Sequence, residues 1–216
     1  VMNTTGAADA YDISVRQFKQ QILPGGIWNT INGRADAFPA TTIWSYGPKL
    51  DPLPAIAAPD PLSQFNYPAY TIETISGTAV NVRWRNELVA DPLACAASLT
   101  PATDPACNFL PHLLPVDQTL HWANPTAAGC ADGTNRTDCM GTNPAPYTGP
   151  VPIVTHVHGA HVEPHSDGYP EAWWLPQANN IPAGYATEGT LFDDSAGQAR
   201  GLNLGYADYL YRNDQP

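Results

Sequence analysis

The chain has 216 residues, 43% of them hydrophobic, and a formal charge of −11 from 20 acidic and 9 basic residues. The apolar share is enough for a packed core and argues against wholesale disorder. The acidic balance repels phosphate backbones and argues against nucleic acid as a partner, and no apolar run is long enough to span a bilayer as a helix.

Proline sets the architecture, with 23 residues. Each one fixes φ and removes a backbone donor, which suits turns, edges and loops. The composition therefore predicts short strands joined by stiff connections rather than a helical bundle. Residues Val1 to Ala10 contain no apolar signal core. From Tyr11, the run Tyr11-Asp12-Ile13-Ser14-Val15-Arg16 alternates apolar and polar, the period of a half-buried strand. The pattern continues with a slipping register through Phe18 and Ile22 and stops at Pro24-Gly25-Gly26. Thr41 to Gly47 reads as a second strand. Pro48, Pro52, Pro54, Pro59, Pro61 and Pro68 then mark a surface connection. Tyr70 to Ile75 reads as a third strand, with Gly77 at the turn. Val80, Val82 and Trp84, alternating with Asn81, Arg83 and Arg85, give the clearest strand of all.

Residues 90 to 150 form a long irregular segment that holds Cys95, Cys107, Cys130 and Cys139. No two are spaced as a CxxC pair, which argues against zinc-ribbon and thioredoxin chemistry. Four cysteines allow three pairings; the local one, Cys95–Cys107 with Cys130–Cys139, closes two short loops. Disulfides are expected here, because cross-links offset the entropy of an otherwise unanchored segment, and they imply an oxidising compartment. Ile153 to His158 returns to strand character, and Tyr206, Tyr209 and Tyr211 predict a final strand. Gly197, Gly201 and Gly205 work against a helical turn over 193–205. Many short strands with turn punctuation predict an all-β sandwich or barrel.

The chemistry is concentrated in Val154-Thr155-His156-Val157-His158-Gly159. Residues two apart in a strand share a face, so both imidazoles are expected to point into one site. Neutral imidazole is the commonest protein ligand for copper, zinc and iron. By itself an H-x-H pair is a weak signal, equally compatible with two surface histidines. Its surroundings are more specific. The block from His156 to Trp173, with H-x-H-G followed by Ser166-Asp167-Gly168-Tyr169-Pro170-Glu171-Ala172-Trp173, resembles the first copper motif of multicopper oxidases, in the branch of bacterial spore-coat laccases and phenoxazinone synthases. Gln20 to Pro24, Thr41 to Gly47, and Ala69 to Glu73 with Val80 to Trp84 are similar to that branch's early strands, with Ala69 and Tyr70 in place of the usual proline pattern. The cysteine segment has no such likeness.

The resemblance implies a cupredoxin-like Greek-key β-sandwich spanning residues 1–216, with a disulfide-bearing insertion at about 90–150 and without its last strands. It implies His156 as a ligand of type 2 copper and His158 as a ligand of type 3 copper. Asp167 would stand behind the trinuclear copper cluster in a path for protons. His161 and His165 are not ligands in the family pattern. His112 and His121 read as loop histidines, Glu171 as a residue that pairs within the loop, and Trp173 and Trp174 as packing residues. These 216 residues contain neither a W-Y-H-D-H nor a His-Cys-His element. Three explanations stand open, a subunit of a two-chain oxidase, a proteolytic fragment that stays assembled, or a truncated piece; the expectation is a processed or two-chain enzyme in which a second polypeptide carries both elements and the whole type 1 copper site. The implied activity couples one-electron oxidation of phenols, pigments or metal ions to reduction of dioxygen to water. The implied location is periplasmic or extracellular, with a signal peptide removed. Two other readings compete. His156, His158 and Glu163 fit a cupin-like H-x-H-x(4)-E metal spacing, although Gly149 and Gly168 do not fit its glycines. The pair could also bind copper in a non-catalytic assembly subunit.

Overall fold

A computed structural model describes residues 10–23, 38–53, 63–192 and 204–215. The Pro24-Gly25-Gly26 stop, Pro54, Pro59 and Pro61, the residues before Ala10 and most of the 193–205 stretch lie outside the described residues.

Alternation becomes sheet where it was expected. Strand β1 (Ala10–Gln20) pairs antiparallel with β2 (Thr41–Pro48), from Ile13 opposite Pro48 to Gln20 opposite Thr41. On its other side it pairs parallel with β3 (Val80–Asn86). Strand β3 pairs antiparallel with β6 (Tyr206–Tyr211), so the sheet runs β2-β1-β3-β6. Strands β4 (His121–Ala123) and β5 (Asp138–Met140) form a separate hairpin. Among the described residues the architecture is mostly β with a mixed sheet, which is the all-β, cupredoxin-like class that the sequence indicates. These strands form an open sheet, not a closed barrel.

One face of the sheet carries the core. Tyr11, Ile13, Val80, Val82, Trp84, Ala207, Tyr209 and Tyr211 are buried there with Trp174 and Phe192. Trp84 Nε1 donates to Tyr211 Oη at 2.9 Å, which satisfies an indole donor that burial would otherwise strand. Burial pushes the Tyr211 phenol up to about 12, with the bond to Trp84 acting in the opposite direction. Among the described residues, one end of the other face is covered. There Arg16 and Phe18 lie against Phe65, whose run folds back over β1 and β2. Farther along, that face is polar: Arg85 pairs with Asp12 and Arg83 with Asp208 across neighbouring strands.

Two expected strands are not strands. In Tyr70 to Ile75 only Ile72 forms a bridge, and its side chain packs on the core. Ile153 to His158 carries two isolated bridges, Ile153 to Trp174 and His156 to Asp167. The reason lies in the partner: this run pairs with its own downstream loop, and 3₁₀ turns at Pro164–Ser166 and Pro170–Ala172 interrupt that loop. A ladder cannot propagate across them.

The 90–150 segment is more ordered than its composition suggests. Helix α1 (Pro92–Ala97) starts on Asp91, whose carboxylate accepts from Ala94 N at 2.9 Å, with proline in the first turn. The cysteines pair locally, Cys95 with Cys107 and Cys130 with Cys139. Among the described residues no helix is long and apolar enough to cross a membrane.

Candidate metal centre

The run carrying the histidines is anchored at its start and exposed at its tip. Ile153 and Trp174 exchange two backbone hydrogen bonds of 3.1 Å, and the Ile153 side chain packs on the aromatic core. Three residues on, His156 bridges Asp167. Beyond it the chain turns at Gly159, whose φ is +72. The His156 and His158 rings come together with centroids 4.6 Å apart and planes at 61°. The sequence-based expectation of a shared direction therefore holds, although a turn and a single bridge deliver it instead of a regular strand.

Gly168 explains how His156 is seated. It follows the bridge at φ +80, and a Cβ placed there would meet His156 Cγ and Nδ1 at 2.6 Å. The imidazole thus rests against bare backbone. Ser166, fully buried, bonds Glu163 O through both its amide (2.9 Å) and its hydroxyl (3.0 Å), which closes the preceding 3₁₀ turn. His156, His158 and Asp167 are all exposed.

The remaining histidines are engaged elsewhere. His161 Nδ1 stands 3.3 Å from Asp214 Oδ1, and Glu163 accepts from Arg212 Nη2 at 2.9 Å. Together these contacts tie the run after β6 to the histidine loop. The Glu163 carboxylate is thereby held by a cation, which argues against its being a metal ligand in the cupin-like reading. Among the described residues no group of three or more His, Cys, Asp or Glu side chains is placed to hold a metal ion. His165 packs edge-on against Tyr209 at 5.7 Å. His121 Nε2 is 3.5 Å from Glu171 Oε1, so Glu171 pairs within the fold as its loop position suggested. Trp173 and Trp174 are buried packing residues.

His112 is a packed loop residue. It sits edge-on between Trp44 (6.0 Å) and Tyr147 (5.4 Å), with Nε2 buried and without a hydrogen-bond partner. Desolvation holds its pKa below the ordinary histidine value. Because the folded pKa is depressed, the contribution to stability is complete above about pH 6.5 and is lost as pH falls through the folded value. Thermal melts between pH 7 and 4 should show an acid-dependent loss that His112→Phe reduces; an unchanged pH profile in that variant would refute this assignment.

An imidazole pair fits copper on donor chemistry: two borderline nitrogen donors close together, free of any competing ion pair, with a glycine cradle that keeps one ring in place. The fold is a mostly-β, cupredoxin-like domain that carries two adjacent imidazoles at its surface. No family model matches the chain. Over 209 residues, 95% of this chain, it is 28% identical to a laccase of Haloferax volcanii and spans 24% of that protein. Over 134 residues, 62% of the chain, it is 28% identical to multicopper oxidase LPR1 of Arabidopsis thaliana and spans 16% of it. These likenesses support the multicopper oxidase family for this chain, in agreement with the H-x-H-G and S-D-G-Y-P-E-A-W block.

Proposed function

We propose that this chain is the N-terminal portion of a laccase-like multicopper oxidase and supplies two ligands of its trinuclear copper cluster, His156 to type 2 copper and His158 to type 3 copper. The paired rings at 4.6 Å carry the proposal. The other ligands come from polypeptide outside these 216 residues, which would carry W-Y-H-D-H and His-Cys-His elements and the whole type 1 site. The lengths of the two relatives support this division.

When bound, copper supplies one-electron steps between an organic or metal-ion reductant and dioxygen. The chain's own residues prepare the site. His156 and His158 present neutral nitrogen to the metal. Gly168 keeps the His156 ring against the backbone, and the Ile153–Trp174 pairing fixes where the run begins. Asp167, exposed and bridged to His156, would stand on the path by which protons reach the cluster, since four are consumed for each dioxygen reduced to water. Phenols, pigments or metal ions are the reductants of this reading. The two disulfides are compatible with a secreted or periplasmic protein.

The test is copper retention. His156→Ala and His158→Ala in the intact protein are each expected to lower cluster copper and dioxygen uptake while leaving the far-ultraviolet spectrum unchanged. Full copper content and full oxygen uptake in the double variant would overturn the proposal.

A further inference from the structure

The Cys130–Cys139 disulfide belongs to the segment without likeness to the copper motif, yet the hairpin it closes is bonded directly to that motif. Cys139 lies in β5, and Cys130 bridges Gly141 just beyond it. Asn124 braces the hairpin from inside, donating from Nδ2 to Ala128 O at 3.0 Å and contacting Cys139 Sγ at 3.3 Å. The hairpin then grips the motif block. Thr137 O accepts from Trp173 Nε1 at 2.7 Å and from Asn124 N at 2.9 Å. On the same hairpin His121 stands 3.5 Å from Glu171, and Asp138 Oδ2 accepts from Thr190 Oγ1 at 2.6 Å.

Thr190 belongs to the run that closes over the block from the other side. There Gly189 N donates to Trp173 O at 2.8 Å, and Leu191 N donates to Glu171 O at 2.9 Å. Residues 171–174 are thus held from two directions, with Trp173 fully buried between them. The histidine run has no ladder of its own. Its pairing is with Trp174, inside the stretch that is held, and with Asp167, four residues before that stretch begins. The Cys95–Cys107 disulfide leads elsewhere: its segment is bonded to Asn179 and Asn180, beyond the block.

We propose that the Cys130–Cys139 hairpin is a positioning element for the imidazole pair, so that copper binding at His156 and His158 depends on this disulfide and on Trp173, and not on Cys95–Cys107. The inference rests on the reading of the pair as copper ligands. The two disulfides make a matched comparison: they close loops of similar span, with separations of 9 and 12 residues, so their chain-entropy contributions are nearly equal. A difference between them therefore reports connection and not general stability.

The experiment titrates copper(II) into the full chain and follows amide hydrogen exchange at Ile153 and Trp174. It uses wild type, the Cys130→Ser/Cys139→Ser and Cys95→Ser/Cys107→Ser pairs, Trp173→Phe, and His156→Ala/His158→Ala. Opening Cys130–Cys139 is expected to weaken copper binding about tenfold or more, the range found when groups that orient metal ligands are removed. It should also spread the copper electron paramagnetic resonance signal over several species and speed exchange at Ile153 and Trp174. Trp173→Phe moves the same readouts less, and opening Cys95–Cys107 leaves them unchanged. Equal effects of the two disulfide pairs, or no effect of Cys130→Ser/Cys139→Ser, overturn the inference. If that pair does not fold, Trp173→Phe decides: unchanged affinity and exchange overturn it. Copper binding that survives His156→Ala/His158→Ala overturns the underlying ligand assignment instead, while the exchange data still judge the mechanical connection.

Discussion

Arg16→Met is expected to destabilise the protein by about 3–5 kcal/mol, the cost of removing one partner from a buried ion pair. Arg16 is 1% exposed in the middle of β1. Its Nε donates to Glu87 Oε2 at 2.7 Å, its Nη1 to Asp51 O at 2.7 Å, and its Nη2 to Lys49 O. Its guanidinium also lies 4.9 Å from the Phe65 ring centre. Methionine fills the stem but leaves the Glu87 carboxylate and two carbonyls without their donors. For a protein of this size the loss corresponds to a fall in Tm of roughly 10 °C. Thermal and denaturant melts check it. Glu87→Gln, which keeps an acceptor, should cost less, and a melting temperature unchanged by Arg16→Met would contradict the assignment.

Gly168→Ala is expected to have the largest effect on metal binding of any change that leaves both histidines in place. An alanine at φ +80 costs on the order of 1–3 kcal/mol in backbone strain. Its Cβ would also occupy space 2.6 Å from His156 Cγ and Nδ1, and the ring is the part that can move. Turning the ring away separates it from His158, and copper affinity should fall roughly 10- to 100-fold, as for other groups that orient a ligand. Gly184→Ala is the control. It has φ +89 with nothing within 4 Å of the added carbon, so it carries strain without displacing a ligand. Equal copper affinity in the two variants would show that Gly168 does not seat His156.

The parts of the fold visible in the sequence are those with a local cause. Strand β3 alternates strictly between Val80 and Trp84 because one face is core and the other polar, and it appears where the pattern places it. Helix α1 was legible in principle from Asp91-Pro92, a cap followed by proline in the first turn, but six residues are too few to show helical periodicity. The pairing within the cysteine segment is local and closes short loops, yet spacing alone left three choices open. What stayed hidden depends on distant partners. Arg16 occupies a polar slot in an alternating strand, and its burial is explained by distant partners, Glu87 at 71 positions and the Lys49 and Asp51 carbonyls at 33 and 35. The β4–β5 hairpin has strands of three residues, too short for a period, and it matters because Thr137 meets Trp173, 36 positions on. Ile153 to His158 has strand composition, but its partner loop is broken by two 3₁₀ turns.

The candidate site was legible to a greater degree. His156 and His158 were singled out by a motif, and their rings meet. The motif assigned Gly168 no role, because the need for a bare backbone beside His156 arises only once Asp167 bridges back to it. The long acidic and proline-rich surroundings carried no signal of the Arg212–Glu163 and Asp214–His161 contacts, which join segments about fifty residues apart.

The most direct measurement is pulsed electron paramagnetic resonance of the protein loaded with one equivalent of copper(II). Two histidine imidazoles should couple to the metal, and His156→Ala and His158→Ala should each remove one of them. The same two imidazole couplings persisting in the double variant would contradict the claim that this pair is the copper locus.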